Sequence, residues 1–222
     1  MQHISLFFAL LFCLPTAYAQ VGSRIDGGLT NRGLTPLSME ERMKNIEGTR
    51  FLREDFTAVK IEGQSQAMPG HYDAYHEKIL VKKEDKLMLL DTRYGYRATF
   101  EDNGAVYVTT TYPDGKGGFA RLLFENDAVK LLRREYVSIL PPVESNGYQP
   151  AKPERFSNVK TDLYIHKAGK NVAQEVPRKK KDILRTLFDD EKRAKKLSKE
   201  HRLNPKKEED LVKLFALYYN QD

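Results

Sequence analysis

The sequence predicts an α+β protein, a curved antiparallel β-meander of about seven to nine strands with short C-terminal helices packed on it. Three observations predict it. Between Phe51 and Leu140, short runs of Val, Ile, Leu, Phe, Tyr and Thr are separated by Gly, Asn-Asp and Pro-Asp-Gly breaks, as hairpin-connected strands require. From Pro177 onward, apolar residues recur at helical spacing instead. Twelve Tyr and eleven Phe, with no Trp, supply the large side chains that pack on a pleated surface. The 222 residues then divide into a signal peptide over 1–19, a flexible linker with a short helix over 20–50, an antiparallel β domain over 51–176 and a basic helical segment over 177–222.

The apolar run Leu6 to Phe12 is followed by Pro15 and by Ala17-Tyr18-Ala19. Small residues three and one before a cut are what signal peptidase requires, so the mature chain is expected to begin at Gln20. The run is too short to cross roughly 30 Å of hydrocarbon, and no later segment is apolar enough. The expectation is therefore an exported protein without a transmembrane span in its mature chain, periplasmic, extracellular or outer-membrane associated. The single cysteine, Cys13, falls within the signal. Leu10-Leu11-Phe12-Cys13 is similar to a lipoprotein box but has Phe12 where a small residue is required. A mature chain without a thiol excludes cysteine catalysis, cysteine-ligated metals and disulfides, leaving packing to stabilise the fold.

Gly22, Gly27, Gly28 and Gly33 among polar residues suggest a flexible linker. Ser38 as N-cap with Glu41 three residues on predicts a short helix through Lys44, ended by Gly48. A first strand follows over Phe56 to Ile61, closed by Gly63. His71 to Lys83 alternates and reads as a second, and Lys86 to Leu90, Tyr94 to Phe100, Ala105 to Tyr112, Phe119 to Phe124 and Val129 to Leu140 continue the series. Asp102-Asn103-Gly104, Pro113-Asp114-Gly115 and Asn126-Asp127 are the turns between them, because Asn and Gly tolerate the positive φ of tight hairpins. Pro141-Pro142 stops the last strand. Leu163 to Ile165 with Val172 and Val176 forms one more hairpin around Gly169-Lys170.

Beyond Pro177, Ile183, Leu184, Leu187 and Phe188 share one helical face, Ala194 and Leu197 another, and Leu211, Leu214, Phe215 and Tyr218 a third. Asn204, Pro205 and Glu208-Glu209-Asp210 give the last helix its start signals.

Three segments, Gly48-Thr49-Arg50-Phe51-Leu52 with Phe56, Tyr72-Asp73-Ala74-Tyr75-His76-Glu77-Lys78-Ile79-Leu80 and the ending Lys206 to Asn220, carry a resemblance. On these residues the chain resembles a family of uncharacterised secreted proteins of Bacteroidetes-type bacteria. The resemblance spans most of the mature chain and implies export from a Gram-negative cell; it implies no activity and no catalytic residue.

Several residue groups are candidates for chemistry. His71 and Asp73, two apart on a strand, form a conceivable metal pair with Glu77 on the same face, against the reading of a solvent-facing polar strand. The same three residues are first candidates for the alternative function, an envelope hydrolase. Ser138 lies outside any Gly-x-Ser-x-Gly elbow, and Gly115 to Gly118 lacks the spacing and the helix of a phosphate loop. No cofactor is expected. Tyr94, Tyr96, Tyr107 and Tyr112 lie close along the sheet and would line an apolar or sugar site if it curls, against the reading of cross-strand core pairs.

The charge is more local. Arg178 to Glu209 holds thirteen Lys or Arg against seven Asp or Glu, a net of +6 that equals the excess of the whole chain. Lys179, Lys180, Lys181, Arg193, Lys195 and Lys196 form its anionic-partner patch, against the reading of a solvated helix face. Nucleic acid is disfavoured because aromatics do not interleave with the Lys and Arg. The sequence thus points to a non-enzymatic binding or interaction module at the cell envelope, taking a small apolar ligand, an envelope protein or an anionic surface.

Overall fold

Among the described residues, alternation and turn chemistry produce mostly antiparallel sheet with three helices of eight residues or more. The computed structural model describes residues 34–36, 43, 45–84 and 86–219. The signal peptide, its cleavage site, Cys13 and the Ser38 to Glu41 helix start lie outside them. Strands β1 (Leu34–Pro36), β2 (Thr57–Ile61), β3 (Met68–Asp73), β4 (Lys78–Lys83), β5 (Lys86–Leu90), β6 (Arg97–Phe100), β7 (Ala105–Thr111), β8 (Gly117–Glu125), β9 (Val129–Tyr136), β10 (Ile139–Leu140), β11 (Arg155–Phe156), β12 (Lys160–Lys167) and β13 (Gln174–Glu175) precede helices α1 (Lys180–Leu187), α2 (Glu191–Glu200) and α3 (Glu208–Tyr219).

Eleven strands form one open sheet in the order β1-β5-β4-β3-β2-β6-β7-β8-β9-β12-β13, and β10 and β11 pair separately. This exceeds the expected strand number. It also differs from a single meander: the chain runs outward from β2 to β5, returns through a turn at Thr92–Tyr94, and places β6 on the free side of β2. Asp91 caps that turn and Gly95, at φ 66°, closes it. The segment over 20–50, expected as linker and short helix, also contributes strand β1, which pairs with β5.

Two expected long strands are broken. His71 to Lys83 is a hairpin, since Asp73 Oδ1 accepts from Tyr75 N at 3.1 Å and His76 N at 3.0 Å and turns the backbone, with Glu77 at φ 55°. Val129 to Leu140 divides after Tyr136, and Ile139 leaves the sheet to pair with Phe156. Gly70 on β3 has no room for a side chain, because a Cβ there would lie 2.8 Å from Val59 Cγ2 and 2.9 Å from Leu80 O. The start of α3 falls at Glu208; Asn204 instead caps the turn before it, accepting from Lys206 N at 3.2 Å.

The sheet folds over on itself. Four strand spacings separate β3 from β8, about 19 Å in a flat sheet. Yet Tyr72 Oη of β3 lies 2.9 Å from Phe119 O of β8 and 3.0 Å from Glu135 O of β9. The β3–β4 turn closes on the same strands, with Phe119 N donating to Glu77 O at 2.8 Å and Val137 N to Ala74 O at 3.1 Å. Inside the fold Tyr72 stacks on Tyr107 at 4.7 Å, among Val59, Ile61, Ile79, Val81, Leu90 and Phe100. On β9, alternation sends Leu132 into a cluster with Val108, Tyr112 and Tyr164, and Val129 and Leu131 into the helical layer. There, with Ile165, they meet Ile183, Leu187, Leu211, Leu214 and Phe215. Among the described residues no helix is long and apolar enough to cross a membrane.

Candidate functional site

The β3–β4 hairpin carries the residues with the most metal-like spacing, and the structure commits them elsewhere. Asp73 is fully buried; its Oδ2 pairs with Arg50 Nε at 3.1 Å and with His76 Nδ1 at 2.8 Å, and its Oδ1 holds the two turn amides. With both oxygens engaged, Asp73 ties the Arg50–Leu52 segment to β3. Backbone bonds from Ala74 N to Arg50 O and from Leu52 N to Tyr72 O reinforce the tie. His71 is buried between Phe51, 4.8 Å away, and Phe56, 3.8 Å away, and its Nδ1 has no hydrogen-bond partner. Burial lowers its pKa, against smaller opposing effects from the Arg53 backbone, Asp55 and Asp73. Glu77 lies beyond the strand and forms two 2.6 Å bonds to Arg134.

His71 and Asp73 are therefore neither a solvent-facing strand nor an available metal pair. Among the described residues no group of three or more His, Cys, Asp or Glu could hold a metal ion.

The four tyrosines do not share a wall. Tyr94 is half exposed and lies 6.1 Å from Tyr96 near the surface. Tyr107 and Tyr112 are buried, because the alternation of β7 and the turn after it direct them inward. Tyr107 Oη donates to Glu135 Oε2 at 2.5 Å, and burial beside that carboxylate raises its pKa strongly. Arg134 covers the rings of Tyr112 at 4.2 Å and Tyr136 at 5.0 Å. The expected ligand wall is thus interior packing at two of its four positions.

Sequence reasoning missed the polar network behind these residues. Glu135 accepts from Arg133 at 2.7 Å, and Arg133 also donates to Glu208 of α3 at 2.7 Å, so the sheet is linked to the helical layer. Its signal is the adjacent trio Arg133-Arg134-Glu135 following the core residues Val129, Leu131 and Leu132 on one strand, since charges in a core strand require partners. Ser138, Ser157 and Lys160 also meet: Ser138 Oγ is 3.4 Å from Ser157 Oγ and 3.3 Å from Lys160 Nζ. Ser157 Oγ donates to Asn158 O, and Lys160 is exposed.

The helical layer assembles the remaining candidates. Asp190 starts α2 by accepting from Arg193 N at 3.0 Å. Glu191, Lys195, Ser198 and Lys199 then recur at helical spacing along one face. Opposite them Lys180, Lys181 and Leu184 of α1 complete a groove of about 320 Å³. Its floor is Leu184 and Ser198, both buried, and Ser198 Oγ donates to Leu203 O at 2.8 Å. Lys179, at the N-cap of α1, is exposed and makes no side-chain cap.

Besides Lys179, two further predicted members of the patch do not line the groove. Arg193 lies over the Tyr218 ring at 4.8 Å, and Lys196 pairs with Glu200 at 3.7 Å along α2. Lys199 and Glu191 belong to the groove and were not anticipated; the i, i+4, i+8 spacing from Glu191 was the signal that could have found them. Compared with family models, with curated proteins and with solved structures, the chain matches none.

Proposed function

We propose that this is an exported, non-enzymatic interaction module of the cell envelope, and that its recognising surface is the basic face of α1 and α2, docked on an anionic envelope surface. The observation that carries the reading is the placement of charge. The net +6 between Arg178 and Glu209 rides on helices fixed to the sheet by a shared apolar cluster and by the Arg133–Glu208 pair. Each lysine near an anionic membrane contributes about 1 kcal/mol of attraction, decaying over a Debye length of about 8 Å at physiological salt. The small-apolar-ligand version of the reading loses support with Tyr107 and Tyr112, which pack the core.

The test is co-sedimentation with phosphatidylglycerol and phosphatidylcholine vesicles over a salt series. Capture by the anionic vesicles alone, lost steeply as salt rises, is the expected outcome; equal capture by both, or by neither, overturns the reading. Amino-terminal sequencing of the protein from an envelope fraction checks export, which requires Gln20 as first residue.

The alternative, an envelope hydrolase with a carboxylate and histidine on the sheet, has one observation in its favour. The 2.8 Å Asp73–His76 contact orients an imidazole as a general base requires. Turnover of ester or glycoside probes that is lost in His76→Gln would establish it.

A further inference from the structure

Resting on the reading of the helical layer as the recognising surface, we propose that the α1–α2 groove is a binding site for a phosphomonoester of a sugar or other polyol. The groove sets Lys180 and Lys181 opposite Lys195 and Lys199, with one carboxylate, Glu191, among them. Four ammonium groups against one carboxylate leave the groove at +3. No ion pair within 4.0 Å joins Glu191 to a cation among the described residues, nor any of these four lysines to a carboxylate. Like charges at i, i+4, such as Lys195 and Lys199, destabilise a helix by some tenths of a kcal/mol unless an anion lies between them. The groove is thus built for a counter-charge that this chain does not itself supply.

The lining narrows what that counter-charge is. A phosphomonoester carries about −1.5 to −2 at pH 7 and offers three acceptor oxygens, and it comes closer to neutralising the groove than a single carboxylate or a phosphodiester does. Lysine ammoniums are compact charges with rotatable donors, able to follow phosphate oxygens without a fixed geometry. A volume of about 320 Å³ is at the small end of ligand pockets, suited to one sugar-sized group rather than to a stretch of polypeptide.

Glu191 has no use for bare phosphate but accepts from hydroxyls. Ser198 Oγ, whose hydrogen is given to Leu203 O, keeps its acceptor capacity. Leu184 and the lysine stems supply the apolar surface on which the C–H face of a sugar rests.

The test titrates the full chain with glucose 1-phosphate, glucose and inorganic phosphate. Glucose 1-phosphate is expected to bind and glucose not to. Lys181→Gln with Lys195→Gln should weaken glucose 1-phosphate by about tenfold or more, while Lys192→Gln with Lys207→Gln, an equal charge loss away from the groove, stays within about twofold. Glu191→Gln, which removes a negative charge and a hydroxyl acceptor together, should tighten inorganic phosphate and weaken glucose 1-phosphate relative to it.

Equal losses in the two lysine pairs would show a diffuse field and overturn the groove. So would absence of glucose 1-phosphate binding in a chain that still sediments with anionic vesicles, and the interaction-module reading would then stand. Failure of vesicle and sugar phosphate together removes both. Vesicles bearing a lipid-linked sugar phosphate identify the source: a greater loss of capture there than on phosphatidylglycerol in the groove variant assigns a headgroup, and equal capture assigns the free compound.

Discussion

At the scale of single residues, the β3–β4 hairpin concentrates the polar groups whose burial has to be compensated. Asp73 is buried with Arg50, itself 7 % exposed, and each is tolerated only because the other is present. Removing one partner leaves an uncompensated buried charge, so Asp73→Asn is expected to cost about 3–5 kcal/mol, read as a shift in the denaturant midpoint. A cost below about 1 kcal/mol would mean that the pair is solvated and that Asp73 does not hold the Arg50–Leu52 segment. His71 gives a pH dependence of defined sign. Its folded-state pKa lies below the ordinary 6.5, so the folded form binds fewer protons than the unfolded one. Its contribution is full above pH 6.5 and is lost as pH falls from there through the lowered folded value. Melting temperatures followed from neutral to mildly acidic pH should fall in the native chain and fall less in His71→Phe; parallel curves would place the dependence on other groups.

At the scale of elements, legibility followed chemistry that acts locally. Asp102-Asn103-Gly104 makes the β6–β7 turn and Asn126-Asp127 the β8–β9 turn, because each closes on its own backbone: Asn103 Oδ1 accepts from Ala105 N at 2.8 Å, and Asn126 Oδ1 from Val129 N at 2.8 Å. The apolar faces of all three helices were readable from period alone, and Ile183, Leu187, Leu211 and Phe215 are buried together. What stayed hidden depends on partners distant in sequence. Asp73 reads as half of a metal-like pair or as part of a solvent-facing strand until Arg50 is brought to it, and nothing local moves β6 to the free side of β2. The groove was half legible: the lysine run of α1 was visible in composition, whereas Lys199 and Glu191 joined it only once α2 had packed against α1. Phe215 tests how tightly that packing is specified. It lies 5.5 Å from Phe124 of β8 and 4.9 Å from Phe188, so Phe215→Ala should leave a cavity costing about 3–5 kcal/mol. Limited proteolysis should then cut the helical layer before the sheet; cleavage in the sheet first would show that Phe215 does not hold the helices down.

For the molecule as a whole, the basic segment is not an appendage. Val129, Leu131 and Ile165 of the sheet have their apolar partners in α1, α2 and α3, and Leu123 and Phe124 pack against the same cluster. Asp190 N donates to Tyr218 Oη at 2.9 Å, and Arg193 covers the same ring, so the α1–α2 junction is fixed to α3 and through it to the sheet. A groove between helices held in this way presents its lysines at fixed positions, as selective recognition of a small anion requires and as a mobile basic tail could not provide. It follows that the sheet cannot be separated from its helices without exposing a contiguous apolar face, the kind of patch that drives association. A chain ending at Val176 is therefore expected to aggregate or to elute as large oligomers in size-exclusion chromatography, whereas the chain from Gln20 to Asp222 remains folded and discrete. Should the shortened chain instead prove monomeric with an unchanged β-type circular dichroism spectrum, the sheet would be self-sufficient. The helical layer would then be a mobile attachment, and the fixed geometry on which a selective anion groove depends would be lost with it.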